Sequence, residues 1–405
     1  MPGVRSATLG FFFRVGARHE PVELHGISHF IEHTVFKGTS KRTALDIAIE
    51  QDRLGGNLDA FTTHEETGFA IKVIDDQLPR AFDLIADMLG SPLFNSADLE
   101  SERRVIIEEM KMTEDAPEER LIEIFSEAFF PDHPLGLNIA GTPSTVESFD
   151  SEATRKYHLE NYHPGNLVIA AAGNVDHSNF VDLVRSSSFG SSWSSNGTQA
   201  RAIRTPVMAA PIVIKQDRGL EQAHFMIALP AIGATDSRRY AADLLASIVG
   251  GGTSSRLWQK VREERGLAYS VGASLSLYQD CGTFAIFAAT SPKQVREVVD
   301  LSIAELRSAA SDGVTAEELD IAKGQTRASL LLGLEDSAAR AAAIAQSEMT
   351  HSRQISFNET LERLEAVTAE DVNEIARDLF RNERIAFAAL GDLRGLRLDR
   401  QDLAV

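Results

Sequence analysis

Apolar and polar positions along the chain follow two different periods. The run Gly68-Phe-Ala-Ile-Lys-Val-Ile is dense in β-branched and aromatic residues and predicts a strand over 67–74. Residues 57–63 predict a second strand, near enough to pair with it as a hairpin. Positions 78–89 then carry apolar residues at helical spacing, and Ser96-Ala-Asp-Leu-Glu opens a long helix. The second half repeats the order. Thr283-Phe-Ala-Ile-Phe-Ala-Ala reads as a strand, 295–306 as a helix, and Thr315-Ala-Glu-Glu-Leu opens another long helix. Both long helices begin with a hydroxyl residue and an early acid, which satisfy free N–H groups and the helix dipole. Even Glu114-Asp115 is matched by Glu335-Asp336, and the offset drifts from 215 (284 − 69) to 221 (335 − 114), as small insertions would produce. The pattern predicts a duplicated α+β domain. Strands and helices do not alternate as regular βαβ units, so each copy is expected to be a mostly antiparallel sheet with helices packed on one face.

Between the halves lies Ser186-Ser-Ser-Phe-Gly-Ser-Ser-Trp-Ser-Ser-Asn-Gly197, rich in turn formers and without helical period. It predicts a linker over 186–207, joining one domain over 1–185 to a homologous one over 208–405.

Composition narrows the function. The chain has 405 residues, 43% of them hydrophobic and 24% charged, which is enough for sizeable cores. No stretch of about 18 uninterrupted apolar residues suggests a membrane span. The opening Met1-Pro-Gly-Val-Arg-Ser lacks the basic and apolar blocks of a secretory signal. A cytoplasmic protein is expected, or one of an organelle matrix if a targeting segment has been removed. The net charge of −19 disfavours nucleic acid, which is held through Lys and Arg, and suits basic partners where acid lines a cleft. The single cysteine, Cys281, excludes an internal disulfide and a multi-cysteine zinc site, and its turn-to-strand setting points to packing.

The sharpest chemical signal is His29-Phe-Ile-Glu-His33. Residues four apart share a helical face, so His29 and His33 converge on one ion, and two imidazoles suit zinc. Glu32 projects from the same side, where a carboxylate takes a proton from an attacking water acidified by the metal. The order H-x-x-E-H inverts the commoner H-E-x-x-H peptidase motif. A catalytic zinc needs a third protein ligand, and Glu108 and Glu109 are adjacent candidates in Glu102-Arg-Arg-Val-Ile-Ile-Glu-Glu-Met110. His158 and His163 sit five apart with Pro164 beside them, a poor spacing for one helical face, and read as structural. His64, near the hairpin, has no assigned role.

With these residues in place the chain resembles the pitrilysin/insulinase family of inverted-motif zinc metallopeptidases, nearest the branch of mitochondrial processing peptidase and its bacterial relatives. The resemblance spans nearly the whole chain. It implies a third ligand about 76 residues after the second histidine, which selects Glu109 (109 − 33 = 76). It implies an auxiliary acid seven residues earlier, Glu102, orienting a ligand histidine. It implies that residues 56–63 line the active site and take substrate as an added strand, with Asn57, Ala60 and Phe61 as candidates. Asp59 stands where the family often has Asn, which leaves a backbone role. In the second half the resemblance implies an Arg and a Tyr seven apart that stabilise the oxyanion; Arg262 and Tyr269 fit better than Arg265. Gly250-Gly-Gly lacks the G-K-[ST] ending of a phosphate loop and reads as a turn. Related chains begin with a further strand of N-G-L-x-V type, which this chain starts beyond.

The whole then implies two facing α+β domains enclosing a chamber and one Zn2+ per chain. The activity implied is endopeptidase hydrolysis of unfolded peptides, as in a processing peptidase, by a homodimer or a heterodimer with a related chain. The other readings are a noncatalytic core subunit and a peptide-binding subunit of a heteromeric peptidase.

Overall fold

The computed structural model describes residues 1, 3–187 and 203–405, so most of the expected 186–207 linker lies outside the described residues. In chain order the first half contains β1 (Ser6–Phe13), α1 (Ile27–Thr34), α2 (Ala44–Leu54), β2 (Leu58–Thr62), β3 (Thr67–Ile74), α3 (Leu78–Gly90), α4 (Ser96–Asp115), α5 (Pro117–Phe129), α6 (Pro143–Ser148), α7 (Ser151–Asn161), β4 (Leu167–Gly173) and α8 (His177–Ser186). The second contains β5 (Ile212–Gln216), β6 (Ala223–Ala231), α9 (Arg239–Gly250), β7 (Ala268–Leu277), β8 (Gly282–Thr290), α10 (Val295–Ser311), α11 (Ala316–Gly333), α12 (Ser337–His351), α13 (Phe357–Ala366), α14 (Ala369–Leu379) and β9 (Ala386–Gly391).

The chain folds into two compact units that exchange a helix. One comprises 1–112, 137–187 and Leu332–Gln354; the other comprises Thr113–Gly136, Ile203–Leu331 and Ile355–Val405. The expected boundaries therefore differ from the observed ones at two places. Helix α5 belongs with the second half and α12 with the first. The physical reason is that each helix carries its own apolar face, and spacing along a chain does not say which sheet receives it.

In the first unit the sheet order is β2-β3-β1-β4, antiparallel throughout. Strand β1 is central, with Phe11 opposite both Phe69 and Ile169. Its odd positions, Leu9, Phe11 and Phe13, enter a core with Phe30, Phe69, Phe82 and Phe149. Its even positions face α12, where Phe12 and Ala170 meet Ala345, and Thr8 Oγ1 lies 2.8 Å from Ser337 Oγ in a buried hydroxyl pair. Burial on both faces accounts for the apolar side chains at successive positions Phe11, Phe12 and Phe13 of this strand.

In the second unit the order is β5-β9-β6-β8-β7; β5 runs parallel to β9 and the other pairs are antiparallel. Phe225, Ile227, Phe284, Ile286 and Phe387 fill the core beneath α9, α10 and α14. The opposite face receives α5 through Leu121, Phe125 and Phe129, which lie against Ala228, Ala285 and Ala388. Both units are sheets with helices, as the sequence pattern predicts, but helices lie on both faces rather than one, because each sheet also receives the exchanged helix, and the second sheet has one strand more. Among the described residues no helix is long and apolar enough to cross a membrane.

Candidate metal centre

Helix α1 follows Gly26, whose φ of 96° lies in the left-handed region, and whose missing side chain leaves room for the carbonyl oxygen of Ala140 and Cα of Gly141. Two N–H groups at the helix start are taken by one buried carboxylate: Gly26 N donates to Glu20 Oε2 at 2.6 Å and Ser28 N to Glu20 Oε1 at 2.7 Å. His25 Nδ1 lies 3.2 Å from the same carboxylate. Ile27, Phe30 and Ile31 pin the inner face of the helix to the core. That leaves His29, Glu32 and His33 on the side toward α4 and β2.

Helix α4 supplies the acids. Glu102 and Glu109 are two turns apart on one face. His29 Nε2 lies 3.7 Å and His33 Nε2 3.5 Å from Glu109 Oε2. The two imidazole centroids are 4.7 Å apart. His29, His33 and Glu109 each offer a ligand atom, all within 4.8 Å of one another. Two atoms each about 2.0–2.1 Å from one tetrahedral ion would lie about 3.4 Å apart, so the donor set and its spacing fit zinc. Chemistry agrees, because burial, helped by the neighbouring His33, holds His29 down to about 4, and its lone pair is free at neutral pH.

The surrounding groups orient these three. Glu102 Oε2 lies 3.3 Å from His33 Nδ1, and Glu102 Oε1 accepts from Lys37 Nζ at 2.6 Å. Burial alone would raise Glu102, but the hydrogen bonds from His33 and Lys37 outweigh it and hold the carboxyl below its ordinary value. Burial likewise opposes the charge on His33, yet the bond to Glu102 and the nearby Glu109 and Glu32 leave it raised. A carboxylate on Nδ1 fixes the tautomer that turns Nε2 toward Glu109. Glu32 is pushed up by burial, partly offset by Thr62 Oγ1, which donates to Glu32 Oε2 at 2.6 Å. A buried carboxyl with a raised pKa is suited to both taking and returning a proton.

The structure thus brings His29, Glu32, His33, Glu102 and Glu109 together. Sequence reading missed Thr62, Lys37 and Glu20. Lys37 had a usable signal, since it follows His33 by four residues. Thr62 had none, because its partner is thirty residues away across a strand. Among the described residues strand β2 lies at the edge of its sheet, paired with β3 alone, and Asn57 precedes it. Ala60 packs toward the main core, while the Phe61 ring lies 6.4 Å from Phe12 on the opposite face. Both side chains are engaged in packing, which leaves the backbone of the strand for any ligand. Arg262 and Tyr269 lie in the second unit and meet each other. The Arg262 guanidinium stacks 4.0 Å from the Trp258 ring and 4.7 Å from the Tyr269 ring, and Nη1 donates to Tyr269 O at 2.9 Å. Tyr269 itself is 78% exposed. His158 is buried and stacked on Tyr162, and His163 Nδ1 accepts from Gly165 N, so neither is placed to ligate.

Comparison with known proteins points the same way. The model of the insulinase family, peptidase family M16, matches residues 1–143, and that of the peptidase M16 inactive domain matches residues 148–326. The chain is 40% identical over 410 residues to an uncharacterized zinc protease of Streptomyces coelicolor, covering 100% of this chain and 89% of that one. It is 40% identical over 394 residues to one of Mycobacterium tuberculosis, covering 96% and 89%. With one of Bacillus subtilis it shares 36% over 379 residues, covering 94% and 91%. Among solved structures, a protease from Helicobacter pylori matches with a TM-score of 0.86 at 22% identity over 96% of this chain and 94% of that one. A peptidase M16 inactive domain from Pseudomonas fluorescens matches at 0.88 and 20%, over 96% and 93%. At those identities the likeness is one of fold.

Proposed function

The chain belongs to the insulinase family, peptidase family M16, and from that premise we propose that it is a zinc-dependent endopeptidase acting on unfolded peptides. The observation that carries the proposal is the convergence of His29, His33 and Glu109 beside the carboxyl of Glu32. Those three residues would hold the metal. When bound, Zn2+ would lower the pKa of water and polarise the scissile carbonyl.

The remaining work falls to side chains and backbone. Thr62 occupies Glu32 Oε2, leaving Oε1 to accept the proton of the attacking water. Glu32 then delivers that proton to the leaving amine. Glu102, braced by Lys37, keeps His33 Nε2 directed at the metal position. The free edge of β2 receives the substrate backbone as an added strand. Arg262 and Tyr269 supply a cation and a phenolic donor for the oxyanion. A processing role, and pairing with a second copy or a related chain, belong to the same proposal.

Purified protein should contain one zinc per chain and cleave an unfolded peptide library until a chelator is added. Glu32→Gln should keep the zinc and lose turnover. Turnover near the unsubstituted rate in that variant would overturn the mechanism, and a chain that takes up no zinc would overturn the metal assignment.

A further inference from the structure

The outer face of the second sheet is only half covered. Helix α5 lies over β9 and β6. Beyond its edge, β8 and β7 present a bed of small residues paired across the ladder, Thr283 with Ser276, Ala285 with Ser274 and Ala289 with Ser270, while Gly272 stands opposite Phe287. Two large apolar side chains stand exposed at this step, Ile122 of α5 at 51% and Phe287 of β8 at 40%. Between them opens a cavity of about 360 Å³, walled also by Leu121, Phe125 and Met226. That volume lies at the lower end of ligand pockets, which run to roughly 300–1,000 Å³, and suits an aromatic side chain with the backbone that carries it. Small residues make the floor, alkyl and aromatic groups the walls, and the Ser270 and Ser274 hydroxyls are within the lining to meet a peptide backbone.

One charge marks the mouth. Glu118 supplies the only carboxylate among the described lining residues, and its side chain is 73% exposed. The His224 imidazole stands beside it, with Nδ1 3.9 Å away. Burial, partly offset by Glu118, holds His224 below its ordinary value, so the imidazole does not cancel the carboxylate at neutral pH.

We infer that this pocket, remote in sequence from the metal ligands, binds an aromatic or branched apolar side chain of the peptide substrate that is followed or preceded by a basic residue. The inference rests on the peptidase reading and adds a selectivity element to it. A hydrophobic side chain seated or missing in such a pocket discriminates by about 10- to 200-fold.

The probes are two short Gly/Ser peptides, one carrying Phe-Lys and the other Ser-Lys at the same place. Binding is read by fluorescence anisotropy on the Glu32→Gln protein, so that no turnover is needed, and kcat/KM is read on the unsubstituted protein. The Phe peptide should bind at least about tenfold more tightly. Ser274→Trp, which fills the pocket from an exposed position on the edge strand, and Ile122→Asp, which spoils its wall from the surface, should each bring the binding ratio close to one. Unfolding midpoints of both variants confirm that the fold persists. A preference absent in the parent, or unchanged in both variants, overturns the pocket assignment. Preferential binding without any cleavage by the unsubstituted protein upholds the pocket as a peptide site and removes the peptidase reading. Cleavage without preference does the reverse.

Discussion

Lys37 touches none of the three metal-capable groups, yet it sets one of them. Its ammonium holds one oxygen of Glu102 while the other faces His33 Nδ1. Removing an outer partner of a ligand histidine typically costs 10- to 100-fold in metal affinity. Lys37→Met should therefore weaken zinc binding by about tenfold in chelator competition, with little change in the unfolding midpoint. Unchanged affinity would reduce Lys37 to a surface contact. His158 shows the opposite case, a histidine whose environment serves stability. Burial holds it down to about 4, against the carbonyl of Leu89 that favours its charged form. As pH falls below about 6.5 the unfolded chain takes up this proton first, so stability is level above that pH, declines down to about pH 4, and flattens below it. The loss from this one group is on the order of 3 kcal/mol. Denaturant titrations across that range should show the slope, and His158→Phe should reduce it. The sequence disclosed the residues that converge at the candidate metal centre, because such chemistry is restricted to few residue types at helical spacings. The roles of Thr62 and Glu20 were not legible, because a hydroxyl or an acid in a loop acquires its meaning from a partner brought near by folding.

Helix α1 has only eight residues, too short to persist by itself, and its register is fixed at the N-terminus. Glu20 takes the N–H groups of Gly26 and Ser28 from inside the protein, its own side chain fully shielded. Deleting that carboxylate leaves two buried donors unsatisfied, at about 1–3 kcal/mol each. Glu20→Ala should lower the denaturant midpoint accordingly and weaken zinc binding with it, since His29 directly follows Ser28. Glu20→Gln, which keeps one acceptor oxygen, should recover part of both. Equal stability of all three proteins would sever the link between cap and metal site. At this scale the sequence was informative for strands and long helices. The run at 67–74 forms β3 as expected, and Thr315 does cap α11, with Oγ1 accepting from Glu318 N. Ser96 departs from expectation: it is the first residue of α4, and its hydroxyl meets Ser151.

Across the whole molecule, duplication was visible as repeated order, whereas the exchange of α5 and α12 was not. Both helices follow a long helix at matching positions in the two halves, so the exchange is reciprocal. A fragment ending at residue 185 would carry α5 without the sheet it covers and leave Thr8, Phe12 and Ala170 without α12. Such a fragment should bind a hydrophobic dye and unfold without a sharp transition, and adding the fragment 203–405 should restore cooperativity. A sharp transition for 1–185 alone would show that each half folds independently of its borrowed helix.

The same exchange reaches into heredity. A gene duplication ordinarily frees one copy to drift, to be lost, or to be replaced by an unrelated module. Here each copy holds a piece of the other's interior, so neither can be discarded once the exchange exists. The pairs that must change in concert are not those within a half. They are pairs such as Phe125 with Ala388, or Ala345 with Phe12, whose codons lie hundreds of positions apart. In a deep set of related sequences, the signal of coupled substitution should cross the midpoint of the chain at these two helices, binding the fates of the halves even where only one of them does chemistry.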